Sequence, residues 1–167
     1  MNAPSPPLLE LPAEEAGAIL QKWLTHTLET YPEQTSRFLL QDQDPFSNPV
    51  GRALNEGLPV LLEEVMGSLD RERAGPVLEE IVRIRAVQEF SSSQALGFIF
   101  RLRGIIREEI GDGRFDSAGL DERIDKLALL AFEHYVRCRE KMAEIKLGEA
   151  KRRVFVLERM ASRETRS

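Results

Sequence analysis

Three arginines carry the strongest chemical signal in this 167-residue chain. On a helical wheel at about 100° per residue, Arg85 and Arg103 fall inside apolar arcs and Arg139 borders one. A guanidinium withdrawn from water is costly unless it is paired or hydrogen-bonded. The forked N–H donors of Arg85, Arg103 and Arg139, with Gln88 in the same arc as Arg85, suit a carboxylate or phosphate ligand. Internal pairing with Asp44, Asp121 or Asp125 is a second use for them. A third is structural: aliphatic stems cover apolar surface while the charged heads reach water. Convergence of the three arginines on one cavity would point to an anionic effector.

Other reactive residues are sparse. The histidines, His26 and His134, stand on different helical segments, and Cys138 follows His134 by one helical turn. A Cys–His nucleophile pair needs hydrogen-bond contact and an electropositive setting, whereas Cys138 sits in an apolar stripe. Either histidine is a conceivable haem ligand in a helical fold, although a lone edge histidine is more often structural. The chain contains no Walker loop, no HExxH and no glycine-rich dinucleotide turn, and no ExxH that would place a di-metal site. The expectation is a non-catalytic protein with no cofactor and no metal.

A hydrophobic content of 42% with 31% charged residues is that of a folded domain rather than a disordered chain. No apolar run approaches the roughly 20 residues of a membrane span. The N-terminus, MNAPSPPLLELPAEE, lacks the basic start of a secretory signal. A single cysteine excludes an internal disulfide. The cytoplasm is therefore the expected location. The net charge of −5 is unevenly spread, with +4 in residues 151–167 and −9 in residues 1–150. So acidic a body argues against a nucleic-acid face.

The elements that must position the arginines are all helical, since apolar spacing follows a 3.6-residue period and no segment alternates like a strand. Residues 1–11 read as a Pro-rich arm. A first helix runs from about Pro12 to Thr30 and stops at Tyr31-Pro32, and a short second covers about Glu33 to Leu40. Asn48 and Pro49 form a cap and first position for a third helix to about Leu69, with Gly57 and Pro59 predicting a kink or break near Leu58. Pro76 is expected to open a fourth helix ending near Glu89. Ser91 with Gln94 fits a capping box for a fifth helix, which ends at Ile110 before Gly111-Asp112-Gly113.

The fifth helix is apolar on most of its girth, with Gly97 and Gly104 stacked on the remaining side, and so is expected to be central. A last helix starts near Asp116 or Ser117 and continues to about Arg163. Its stripe of Leu120, Ile124, Leu127, Ala131, Tyr135 and Cys138 is re-aimed after Gly148, where Ala150, Val154, Leu157 and Ala161 point roughly 100° away. One straight helix cannot present both stripes to one core. The tail, 148–167, therefore bends at Gly148 or projects to a second chain, through Val154, Leu157 and Ala161, as a basic amphipathic helix. The fold expected is all-α: a single-domain helical bundle at 12–147 with a long C-terminal helix.

The segments WLTHTLETYPEQTSRFL, DPFSNPVG, IRAVQEFSSSQALGFIFRLRGIIREE and ERIDKLALLAFEHYVRCREKMAEIK resemble the RsbRD N-terminal domain family over about Trp23 to Arg152. The resemblance implies a regulatory or sensory input domain of the stressosome co-antagonist or sensor-kinase kind. It also implies a dimeric, globin-like helical fold without haem, and a regulatory protein as partner. No strand-rich phosphorylatable segment follows Ser167, so the expectation is a stand-alone input or adaptor module. A haem- or small-ligand-binding globin-like protein is the alternative.

Overall fold

The computed structural model describes residues 11–42, 44, 46–111 and 113–164. Residues 1–10 of the expected arm, Asp112 of the glycine stop and the last three residues of the tail lie outside the described residues. Leu11, expected in the arm, packs partly buried against the core. The described residues form six helices and no strand: α1 (Ala13–Leu28), α2 (Glu33–Gln41), α3 (Pro49–Met66), α4 (Arg71–Val87), α5 (Ser92–Ile110) and α6 (Ser117–Glu164).

Local sequence sets most of the helix ends. The Asn48 side chain accepts from Gly51 N at 2.7 Å and caps α3, with Pro49 at the first position. Its amide donates to Leu39 O at 2.9 Å and Asp42 O at 2.7 Å, tying α2 to the start of α3. Asn48→Ala removes the cap and strands two carbonyls near a buried position. It is expected to lower the unfolding free energy by about 2–3 kcal/mol in urea denaturation. Ser91 and Gln94 form a reciprocal capping box at α5.

Two proline expectations are corrected. α4 starts at Arg71, five residues before Pro76, because the Asp70 side chain accepts from Glu72 N at 2.9 Å and nucleates the helix earlier. Pro76 then sits inside the helix, in a stretch held by burial of Ala74 and Leu78. α3 runs through the exposed Pro59 as one helix, so there is no break near Leu58. Gly57 lets α4 come close: a Cβ there would stand 2.9 Å from Val77 Cγ1 and Ile81 Cδ1.

α5 is central, packing on α1, α4 and α6. Its inner face buries Leu96, Phe98, Ile99, Leu102, Ile105 and Ile106, although Phe100, on the same wide arc, is exposed. Open space surrounds the sites a Cβ would take at Gly97 and Gly104, so that notch is unfilled. Trp23 of α1 is fully buried, donates Nε1 to Phe98 O at 2.7 Å and stacks on Phe98 with centroids 6.0 Å apart. α6 lies in the core through Leu120, Ile124, Leu127 and Ala131, then leaves the bundle as a continuous helix whose side chains are exposed from Glu149 to Ser162.

Candidate functional site

The end of α4 is built to bury a cation. Glu89 N donates to Ala86 O at 3.2 Å and Phe90 N to Arg85 O at 3.3 Å, the paired bonds of a Schellman motif. Glu89 occupies the left-handed position at φ 63°, a place that favours glycine. This turn folds Phe90 back over Arg85.

The Arg85 side chain is 1% exposed. Nε donates to Ala95 O at 3.2 Å, and Nη2 donates to Gln94 O at 2.8 Å and Thr30 Oγ1 at 2.9 Å. Its guanidinium carbon lies 4.7 Å from the Phe90 ring centre, 5.4 Å from Tyr31 and 5.8 Å from Phe98, within cation–π range of all three. Nη1 is buried and makes no well-aligned hydrogen bond, although the guanidinium also interacts with the Tyr31 hydroxyl. No carboxylate among the described residues pairs with this guanidinium. Burial lowers the Arg85 pKa below its ordinary value, and Tyr31 opposes that shift. Burial in turn raises the Tyr31 phenol, with Arg85 pulling the other way. Arginine stays protonated near neutral pH, so the fold holds a positive charge without a counter-ion among the described residues.

Tyr31 closes this site from the α1–α2 turn, donating its hydroxyl to Gln88 Oε1 at 2.8 Å. Phe90 meets the Tyr31 ring edge-on at 5.0 Å and accepts on its carbonyl from Tyr135 of α6 at 2.7 Å. Beside Arg85 lies a slot lined by Tyr31, Val50, Ala53, Leu54, Ile81 and Ile84, too tight as it stands for a water molecule.

The three arginines do not converge. Arg85 is enclosed by the α1–α2 turn and the first turn of α5. Arg103 is half-buried and pairs with Asp121 at 3.0 Å and Asp125 at 2.6 Å, while Arg107 reaches Asp121 at 2.8 Å and Ser117 at 3.1 Å. That network fastens α5 to α6. Asp44 instead accepts from Phe46 N in its own turn. Arg139 is exposed, on the solvent side of a turn of α6 whose Cys138 is half-buried. Gln88 is exposed too, and touches the site only through Tyr31. Sequence reading missed Thr30, Tyr31, Phe90 and Phe98. The one available signal was an aromatic residue between a polar helix end and a serine cap.

The histidines take no part. His26 pairs with Glu29 at 2.8 Å on the exposed side of α1, and both His134 ring nitrogens are buried without partners. Neither lines the Arg85 slot or the open cleft of about 390 Å³ bounded by Leu24, Leu40, Asp42, Arg52, Asn55 and Glu56.

α6 carries a second feature. Leu129, Phe132, Val136, Ala143, Leu147, Ala150, Val154, Leu157 and Ala161 follow one another at mostly three- and four-residue steps. At about 100° per residue they share an arc of roughly 80°. Leu129 is 66% exposed and Leu157 65%, and Phe132, Leu147 and Val154 are also exposed. The stripe expected to start after Gly148 therefore has counterparts on the body of the bundle at Leu129, Phe132 and Val136, away from the buried face, and resumes at Ala143 after a step that holds Arg139 and Glu140. No bend at Gly148 is needed, because one helix presents its inner face to the core and this outer face to its surroundings.

Among the described residues no group of histidine, cysteine and carboxylate side chains could hold a metal ion, and no helix is long and apolar enough to cross a membrane. Among curated proteins and solved structures, none matches the chain. A family model does match, over residues 17–147, a span that takes in α2 to α5, most of α1 and the buried part of α6. The chain belongs to the RsbT co-antagonist protein rsbRD N-terminal domain family.

Proposed function

We propose that this chain is a non-catalytic regulatory input or adaptor module that works as a homodimer and passes its state to a protein partner through α6. The family is that of a regulatory, stressosome-related input domain. The observation that carries the reading is the outer stripe of α6, a long exposed apolar face on a helix fastened to the core at one end. An amphipathic helix of this kind suits pairing in a coiled coil, with Val154, Leu157 and Ala161 in its distal seam. Phe155, Val156 and Met160 are exposed outside that arc, which leaves apolar surface for a further partner.

A non-catalytic role fits the placement of the reactive side chains. His26 is committed to a surface pair and no hydrogen bond joins His134 to Cys138, whose thiol is half-buried. The haem-binding alternative gains no support from cavities that neither histidine lines.

Light scattering coupled to size exclusion tests the dimer. The full chain is expected at twice the monomer mass. Truncation after Gly148, which removes about half of the stripe, is expected to shift the equilibrium toward monomer. A monomer in both cases overturns the proposal.

A further inference from the structure

We infer that the Arg85 slot is a closed binding site for a short-chain aliphatic monocarboxylate, opened by displacement of Tyr31. Three observations carry this. The guanidinium is buried, keeps one terminal nitrogen without a well-aligned hydrogen bond, and pairs with no carboxylate among the described residues. A charge held in this way is costly to a fold, and one anion bound beside it offsets that cost through charge-assisted hydrogen bonds. The slot that Arg85 walls is otherwise aliphatic, with Val50, Ala53, Leu54, Ile81 and Ile84. A ligand with a carboxylate at one end and a few methylenes at the other matches that division. A phosphate or a dicarboxylate would place charge against the aliphatic wall.

The slot admits no water, and a ligand enters only if a wall moves. Tyr31 is the wall suited to move. It lies in the turn between α1 and α2, and its hydroxyl is held by a hydrogen bond to the exposed Gln88 and by its interaction with the Arg85 guanidinium. Movement of Tyr31 also disturbs Phe90, which packs on it and binds Tyr135 of α6. The slot is thereby linked to the helix that carries the outer stripe.

The proposal rests on the input-module reading for its purpose, but binding is measured on the chain alone. A failure to bind therefore leaves the dimer test untouched. The probe is sodium butyrate, followed by isothermal titration calorimetry and thermal shift at constant ionic strength, with butanol and inorganic phosphate as comparators. Butyrate is expected to bind saturably and raise the melting temperature, while butanol and phosphate give no saturable response. Tyr31→Phe and Gln88→Ala both keep Arg85 and release the Tyr31–Gln88 bond, Tyr31→Phe also removing the hydroxyl's interaction with Arg85. Each is expected to tighten butyrate binding about fivefold, the equivalent of one ordinary hydrogen bond. Arg85→Met, a replacement of similar length suited to the ring of aromatics, is expected to weaken binding at least tenfold. The inference is overturned if neither wild type nor Tyr31→Phe binds butyrate. It is also overturned if phosphate binds in its place, if the two opening variants fail to tighten binding, or if a folded Arg85→Met chain binds as wild type does.

Discussion

Trp23→Ala is expected to lower the unfolding free energy by about 3–5 kcal/mol and the melting temperature by roughly 10 °C. Trp23 has no exposed surface and stacks on Phe98 at the join of α1 and α5. Truncation to alanine removes the largest side chain of the core, leaves a cavity and deprives Phe98 O of the indole donor. α1 is the element at risk, since its other fully buried apolar side chains are Ile19 and Leu28. Urea denaturation followed by circular dichroism measures the loss. Trp23→Phe, which keeps most of the apolar volume and loses the hydrogen bond, should fall between the two. A cost below about 1 kcal/mol for the alanine variant would contradict the packing of α1 on α5.

The double substitution Val154→Glu, Leu157→Glu is expected to weaken the proposed dimer by at least 100-fold while leaving the bundle folded. Both residues are exposed in the single chain, so their replacement leaves the core intact and even suits an exposed helix surface. In a paired seam the same change sets carboxylates against apolar side chains and against one another. Each desolvated charge costs a few kcal/mol, and a factor of 100 is only about 2.7 kcal/mol. Light scattering reads the mass and circular dichroism confirms retained helix. An unchanged dimer would move the contact away from the distal half of the stripe, toward Leu129 and Phe132. A monomeric wild type would remove it altogether.

Much of the fold was legible in advance because its signals are local. Asn48-Pro49 and Ser91 with Gln94 satisfy helix N–H groups within three residues of themselves, so their meaning does not depend on the rest of the chain. The same holds for Gly111, whose φ of 80° ends α5 after Ile110. The start of α4 was not legible, because Pro76 is an equally good first-turn residue and an affordable interior one. Burial around Ala74 and Leu78, together with the Asp70 cap, decided between them.

The candidate site was half legible, for a different reason. A wheel records direction around one helix axis and says nothing of where a neighbouring helix ends along it. Arg85, Arg103 and Arg139 all look inward by that measure, and Phe100 looks buried. In space, Arg139 is on the exposed side of α6, and Phe100 is exposed. Arg103 turned out to have the partners Asp121 and Asp125, which sequence reading had offered as its counter-charges. Arg85 has none, and its aromatic enclosure draws on residues 31, 90 and 98, from three separate parts of the chain.

The sequence by itself thus determined the helical class, most of the helix ends, the central place of α5 and the existence of a second apolar stripe on α6. Each follows from hydrogen bonds or periodicities closed within a few residues. Only the tertiary structure decided that one arginine alone is enclosed without a counter-charge, and that the outer stripe runs back onto the body of the bundle. Both depend on how far one helix extends past its neighbours, a quantity that chain-local spacing does not contain.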